Sequence, residues 1–219
     1  MKYFSIISSL FVTVLLISNT VATKFFSLGP FIFTGAILIF PISYIFGDIL
    51  VEVYGYSNSR KIIWTGFFAL AFMSLVYWLI GILPSASGWE NQEAYLKILG
   101  VVPRIALASI IGFLAGEFSN SFVLSKLKIL TKGRHLWTRT ISSTIVGQGV
   151  DSILFTFIGF YGLIPNSILI IAILSGYLFK VIYEVVATPL TYFIINYIKR
   201  KENLDVYDYK TRYNPFIFN

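Results

Sequence analysis

The chain has 219 residues, 57% of them hydrophobic and only 12% charged, with a mean hydropathy of +0.79. Soluble domains carry about 25% charged residues, so a water-soluble globule is excluded for want of polar surface. The formal net charge is +7. The basic residues nevertheless lie in short clusters between apolar runs, which excludes a nucleic-acid face and marks membrane topology instead.

Six apolar runs follow in chain order, each near the ~20 residues that a helix needs to cross ~30 Å of hydrocarbon. They are Phe4 to Ala22, Phe31 to Val53, Ile62 to Leu83, Arg104 to Val123, Ile141 to Gly162 and Ile168 to Ile198. The first begins like a signal peptide, with Lys2 before an apolar run. No A-x-A site follows it, and Asn19 and Lys24 close it, so it reads as a retained helix. The connection from Pro84 to Pro103 holds a mixed stretch, Trp89 to Leu99, that predicts a short interfacial helix. The sixth run is long enough to tilt or to project beyond the bilayer. Continuous apolar runs of this length exclude the alternating strands of an outer-membrane barrel. The expected fold is an all-α integral membrane bundle of six transmembrane helices over residues 1–198, followed by a polar cytoplasmic tail over 199–219.

Orientation follows from the basic residues. With the N-terminus inside, the inner segments hold thirteen lysines and arginines, while the outer segments and their margins hold only Lys24, Lys97 and Arg104. That bias places both termini in the cytoplasm. The lone His135 lies in a basic loop without a second histidine, and Cys is absent. No metal, disulfide or cofactor is therefore expected.

Ionisable residues inside membrane spans cost about +2.5 to +3.5 kcal/mol each, so they face a bundle interior or a watery cavity. The second span carries Asp48 and Glu52, the fourth Glu117 and Asn120, the fifth Gln148 and Asp151, and the sixth Lys180 and Glu184. Offsets of three or four residues put each pair on one helical face. Glu117, Asp151 and Lys180 fall near mid-bilayer by helical rise, with Asp48, Glu52 and Glu184 nearer the inner side. Lys180 can neutralise Asp151 or Glu117, which would make the set structural. The carboxylates outnumber the buried cations, however, and charge pairing alone does not account for them. Asp48 and Glu52 are also placed to meet Arg60 and Lys61 and hold the inner loop. Tyr44, Phe118, Phe155, Tyr177 and Tyr183 flank the polar positions and could stack on a flat heterocycle.

Catalytic signatures are missing: there is no H-E-x-x-H, G-x-S-x-G, P-loop or nucleotide fingerprint. A polar cluster at mid-bilayer suits a binding pocket for a small polar solute and not an enzyme, and the chain cannot itself be an ATP-driven motor. An intramembrane enzyme built on paired aspartates and a purely structural subunit are the rival classes.

The runs SNTVATK (Ser18 to Lys24), FPISYIFGDILVEVYGYSNSRKIIW (Phe40 to Trp64), PRIALASIIGFLAGEFSNSFVLSKLK (Pro103 to Lys128) and LWTRTISSTIVGQGVDSILFTFIGFYG (Leu136 to Gly162), with Lys180 and Thr188-Pro189, resemble the queuosine precursor transporter family, also called the VUT family. The resemblance covers about residues 18 to 195. It implies uptake of the 7-deazaguanines preQ0 and preQ1 across the bacterial inner membrane, in service of tRNA modification. It also implies a six-helix fold like the substrate-binding subunits of energy-coupling factor transporters. On this resemblance Glu117, Asn120, Gln148, Asp151, Lys180 and Asn19 are the expected substrate-binding residues. Asp48, Glu52, Arg104, Lys24 and Glu184 are the expected coupling or structural ones. The expected partners are the small-molecule substrate, the lipid bilayer, and a second copy or a separate energising module. Another small polar metabolite is the nearest alternative substrate.

Overall fold

The structure is a computed structural model that describes residues 2–22, 24–28, 31–100, 103–162 and 165–216. Helix α1 (Phe4–Val21) leads into a two-stranded antiparallel hairpin, β1 (Phe25–Leu28) and β2 (Phe31–Thr34), and then a single 3-10 turn, Gly35–Leu38. Helices α2 (Phe40–Tyr54), α3 (Tyr56–Gly81), α4 (Gln92–Leu99), α5 (Pro103–Leu130), α6 (Leu136–Phe160) and α7 (Asn166–Glu202) follow. The short helix expected within Trp89 to Leu99 is α4.

Five helices among the described residues are long and apolar enough to cross a membrane: α1, α3, α5, α6 and α7. The second expected span, Phe31 to Val53, is not one helix. Its first part pairs as a strand, Phe25 opposite Thr34 and Leu28 opposite Phe31. Only 15 residues are then helical, about 22 Å at 1.5 Å per residue and short of a ~30 Å core. The reason is local. β-branched and aromatic residues flank the sequence Gly29-Pro30, a turn signal, and Pro41 in the first turn of α2 suits a helix start.

The side-chain distribution is inverted relative to a soluble protein. Phe72, Ile171, Val186 and Phe193 are 62–75% exposed on the outer faces. Glu52, Asp48, Arg139, Ser143 and Thr191 are buried at 0–1%. A protein that turns its apolar side chains outward and its polar ones inward has lipid as its solvent. The chain is a multi-pass membrane protein.

The interior has an apolar part and a polar part. Ile7, Phe11 and Leu15 of α1 pack with Ile45, Ile49 and Val53 of α2, Ile63 of α3, Phe113 of α5 and Ile195 of α7. The α5–α6 seam is different, because small residues bring the backbones together. A β-carbon on Gly116 would lie 2.8 Å from Asp151 Cβ and 3.0 Å from the Gly147 carbonyl oxygen. A β-carbon on Gly147 would lie 2.7 Å from Asn120 Cβ. Two candidate polar residues are thus set into the seam by missing side chains on the facing helix. Gly116→Ala is expected to force the helices apart at a cost of about 1–3 kcal/mol, read as a lowered melting temperature of the purified protein.

The ends of the bundle come together at one pole. The Tyr3 backbone N–H donates to Glu202 Oε1 at 2.6 Å, which joins the start of α1 to the end of α7. Gly55, at φ +82°, separates α2 from α3 at the same pole, and a β-carbon there would lie 2.7 Å from Val206 Cγ1. Residues 203–216 return across this pole. Arg60 donates to the carbonyls of Arg212 and Asn214, Trp64 Nε1 to that of Pro215, and Ser125 Oγ to Asp208 Oδ2.

Candidate functional site

The polar interior forms two layers, and they differ in how completely their charges are matched. The layer next to the tail centres on Glu52, which is fully buried. Arg139 grips it with a fork, Nη2 to Oε1 at 2.7 Å and Nε to Oε2 at 3.3 Å. Lys199 donates to Oε1 at 2.7 Å, and Lys128 stands 3.8 Å away. Lys128 and Lys199 also reach Asp205, at 2.6 and 2.9 Å. Burial alone would raise the Asp205 carboxyl, but the hydrogen bonds from Lys128 and Lys199 outweigh it and hold the group below its ordinary value. A depressed carboxyl contributes stability above its unfolded pKa and loses it only as pH falls through the folded value, so this tie is intact at neutral pH.

Arg139 and Lys128 were read in the sequence as inner-loop topology charges. Both are only 1% exposed and are structural anchors of Glu52. The expected contact of Asp48 and Glu52 with Arg60 and Lys61 is not the one formed: Arg60 serves the tail carbonyls, and Lys61 is exposed. The signal available beforehand was arithmetic, because a buried Glu52 demands cations and Arg139 sits one turn into its own helix.

The second layer lies at the middle of the bundle and is matched only in part. Lys180 Nζ donates to Asp151 Oδ2 at 2.6 Å and to Ser152 Oγ at 3.3 Å, so of the two expected partners it takes Asp151. Asn120 Nδ2 donates to Asp48 Oδ1 at 2.8 Å. Among the described residues the remaining acceptors have no donor: both carboxylate oxygens of Glu117 and of Glu184, Asp48 Oδ2, Asn120 Oδ1 and Gln148 Oε1. All five residues are 0–2% exposed. Asp48 stands within electrostatic reach of Glu184, Glu117 and Glu52. This is the surplus of carboxylates that the sequence indicated, now gathered from α2, α5, α6 and α7.

A narrow recess of about 150 Å3, its open mouth included, is lined by Phe40, Tyr44, Phe113, Gly116, Glu117 and Asp151. Its walls close on one another. Tyr44 is the flanking aromatic that reaches this recess, whereas Phe118 packs against the Trp64 ring at 6.0 Å. Phe40 and Phe113 were not singled out beforehand, since a phenylalanine in an apolar span carries no distinguishing signal.

Two expected residues, Asn19 and Lys24, stand elsewhere. Asn19 Nδ2 donates to the Leu15 carbonyl of its own helix at 2.9 Å. Lys24 is exposed beside β1. The Arg104 side chain lies outside the described residues.

Comparison with known proteins places this geometry in a family. The chain is 32% identical over 146 residues to the "Probable queuosine precursor transporter" of Bacillus subtilis, covering 66% of this chain and 64% of that protein. It is 30% identical over 128 residues to a protein of the same name from Haemophilus influenzae, covering 58% and 52%. It is 27% identical over 122 residues to the "Queuosine precursor transporter" of Escherichia coli, covering 56% and 52%. The aligned part therefore spans between about half and two thirds of these relatives. No solved structure matches the chain. A family profile described as "Putative vitamin uptake transporter" matches residues 34–194, well over half of the sequence and every helix of the polar cluster, and the chain belongs to that family, the VUT family.

Proposed function

We infer that the chain imports queuosine precursors, 7-deazaguanines of the preQ0 and preQ1 kind, across the bacterial cytoplasmic membrane. The observation that carries this reading is the buried central layer, in which Glu117, Glu184, Asp48, Asn120 and Gln148 hold acceptors without donors. A buried acceptor left dry costs about 1–3 kcal/mol, so the layer favours a solute that brings N–H groups. The pyrimidine edge of a deazaguanine carries such groups, and the ammonium of preQ1 adds a charge suited to a carboxylate. Glu117 and Gln148 are the primary contacts in this reading, with Asn120, Asp151 and Lys180 completing the site. Asn19 stands toward the outer end of the path.

In the membrane, α2 together with the β1–β2 hairpin makes the second of six crossings, a fold like that of the energy-coupling factor substrate-binding subunits. The pole bearing the tail, Arg60, Lys128, Arg139 and Lys199 faces the cytoplasm, where basic residues belong. Residues 1–198 form the transmembrane domain and 199–219 its cytoplasmic tail. The proposed partners are a second copy of the chain or an energising module that supplies the nucleotide-binding motif these residues do not hold.

Expression in a precursor-dependent bacterium lacking its own importer is expected to restore queuosine in tRNA at low external preQ0 or preQ1. Correctly inserted protein that leaves tRNA unmodified would contradict the reading. Restored growth on a different small polar metabolite would move the function to that solute.

A further inference from the structure

The Asn120 amide has two hydrogen-bonding ends, and the protein uses only one. Its Nδ2 donates to Asp48 Oδ1 at 2.8 Å, while its Oδ1 is buried without a donor. With its NH2 end engaged by Asp48, the amide has its carbonyl end left over for another donor. Both side chains are held inside the bundle. Asp48 is 0% and Asn120 1% exposed, and Asn120 is pressed against the bare face of Gly147. One turn away on α5 both Glu117 oxygens also lack donors, as does Gln148 Oε1 on α6. Lys180 is already engaged by Asp151 and Ser152. These oxygens offer a solute acceptors, beside the Gln148 amide NH2, which donates, and the Tyr44 hydroxyl, which acts either way.

We propose that Asp48 is a positioning residue that holds the Asn120 amide with its carbonyl free, so that the site selects bicyclic solutes carrying an exocyclic amine beside a ring N–H over the same bicycle without the amine. The inference rests on the transport reading above and adds the chemical basis of its selectivity. A site built to hydrogen-bond a polar group rejects the analogue lacking it far more strongly than an apolar pocket rejects a change of size, because its own buried groups are left unpaired. Asp48 acts here at one remove: without its carboxyl the Asn120 NH2 is no longer held inward, and the amide can present either end.

The test is equilibrium binding of 7-deazaguanine and 7-deazahypoxanthine, which differ by the exocyclic amine, to the purified full-length protein in lipid nanodiscs. The wild type is expected to bind the amine-bearing base at least about tenfold more tightly. Asp48→Leu and Asn120→Leu are each expected to shrink that ratio to below about threefold, and the double variant to shrink it no further, since one residue acts through the other. A merely structural fault would weaken both bases alike and keep the ratio. Should Asp48→Leu fail to fold, Asp48→Asn is read in its place, because its amide lets Asn120 sit either way round. Equal affinity of the wild type for both bases would overturn the selectivity while leaving the transport reading standing. Silence toward both bases and toward preQ0 and preQ1 would overturn the two together. A ratio lost in Asn120→Leu but kept in a folded Asp48 variant would remove Asp48 from the account.

Discussion

Glu117→Gln is expected to lower precursor uptake about ten- to hundredfold while the folded protein stays as abundant as the wild type. The carboxylate has no protein partner, so neutralising it strands nothing and lowers the cost of placing α5 in lipid. What is lost is charge-assisted bonding to the solute, worth about 1.5–3 kcal/mol. Asp151→Asn is expected to behave differently, because Lys180 donates to Asp151 at 2.6 Å. Removing that charge leaves an ammonium in the bilayer, so abundance falls, and a second change, Lys180→Met, brings it back. Uptake and detergent-extracted monomer measured on the same four strains separate the residues. Normal uptake by Glu117→Gln would take Glu117 out of the site, and full abundance of Asp151→Asn alone would show that the pair does not hold α6 to α7.

Glu52→Leu is expected to abolish folded protein. Glu52 is fully buried and within 2.7 Å of both Arg139 and Lys199, with Lys128 at 3.8 Å. Removing one side of a buried ion pair costs about 3–5 kcal/mol, and here three cations lose their common partner. Size-exclusion profiles of extracted protein give the answer. A monodisperse Glu52→Leu variant that has lost only transport would assign Glu52 to coupling instead of to the inner pole.

The sequence made the spans legible where apolar composition and length agree, as in α1, α3, α5, α6 and α7. Hydropathy misread Phe31 to Val53, because a β-strand of Phe, Ile and Thr is as apolar as a helix of the same length. Only the flanking Gly29-Pro30 and the Pro41 helix start carried the distinction. Polar residues at three- and four-residue offsets marked the buried faces of α2, α5, α6 and α7, since insertion cost makes each of them conspicuous. Which of them are matched was not legible: Lys180 could reach Asp151 or Glu117 from sequence, and the choice depends on the α6–α7 packing. Arg139 and Lys128 escaped for a related reason. A basic residue at a helix end reads as topology until a buried carboxylate is seen against it. The tail escaped altogether: several of its anchors are backbone carbonyls, of residues 206, 212, 214 and 215, present at every position, and its carboxylates Asp205 and Asp208 stand in a polar stretch that reads as solvated.

The central claim is that buried acceptors in α2, α5, α6 and α7 hold a donor-bearing base, and titration of the purified chain in nanodiscs with preQ0 and preQ1 tests it most directly. The account predicts saturable binding of at least one precursor by the wild type, weakened about tenfold or more in Glu117→Gln and unchanged in Lys24→Ala, whose side chain is exposed. Equal binding by wild type and Glu117→Gln would contradict it.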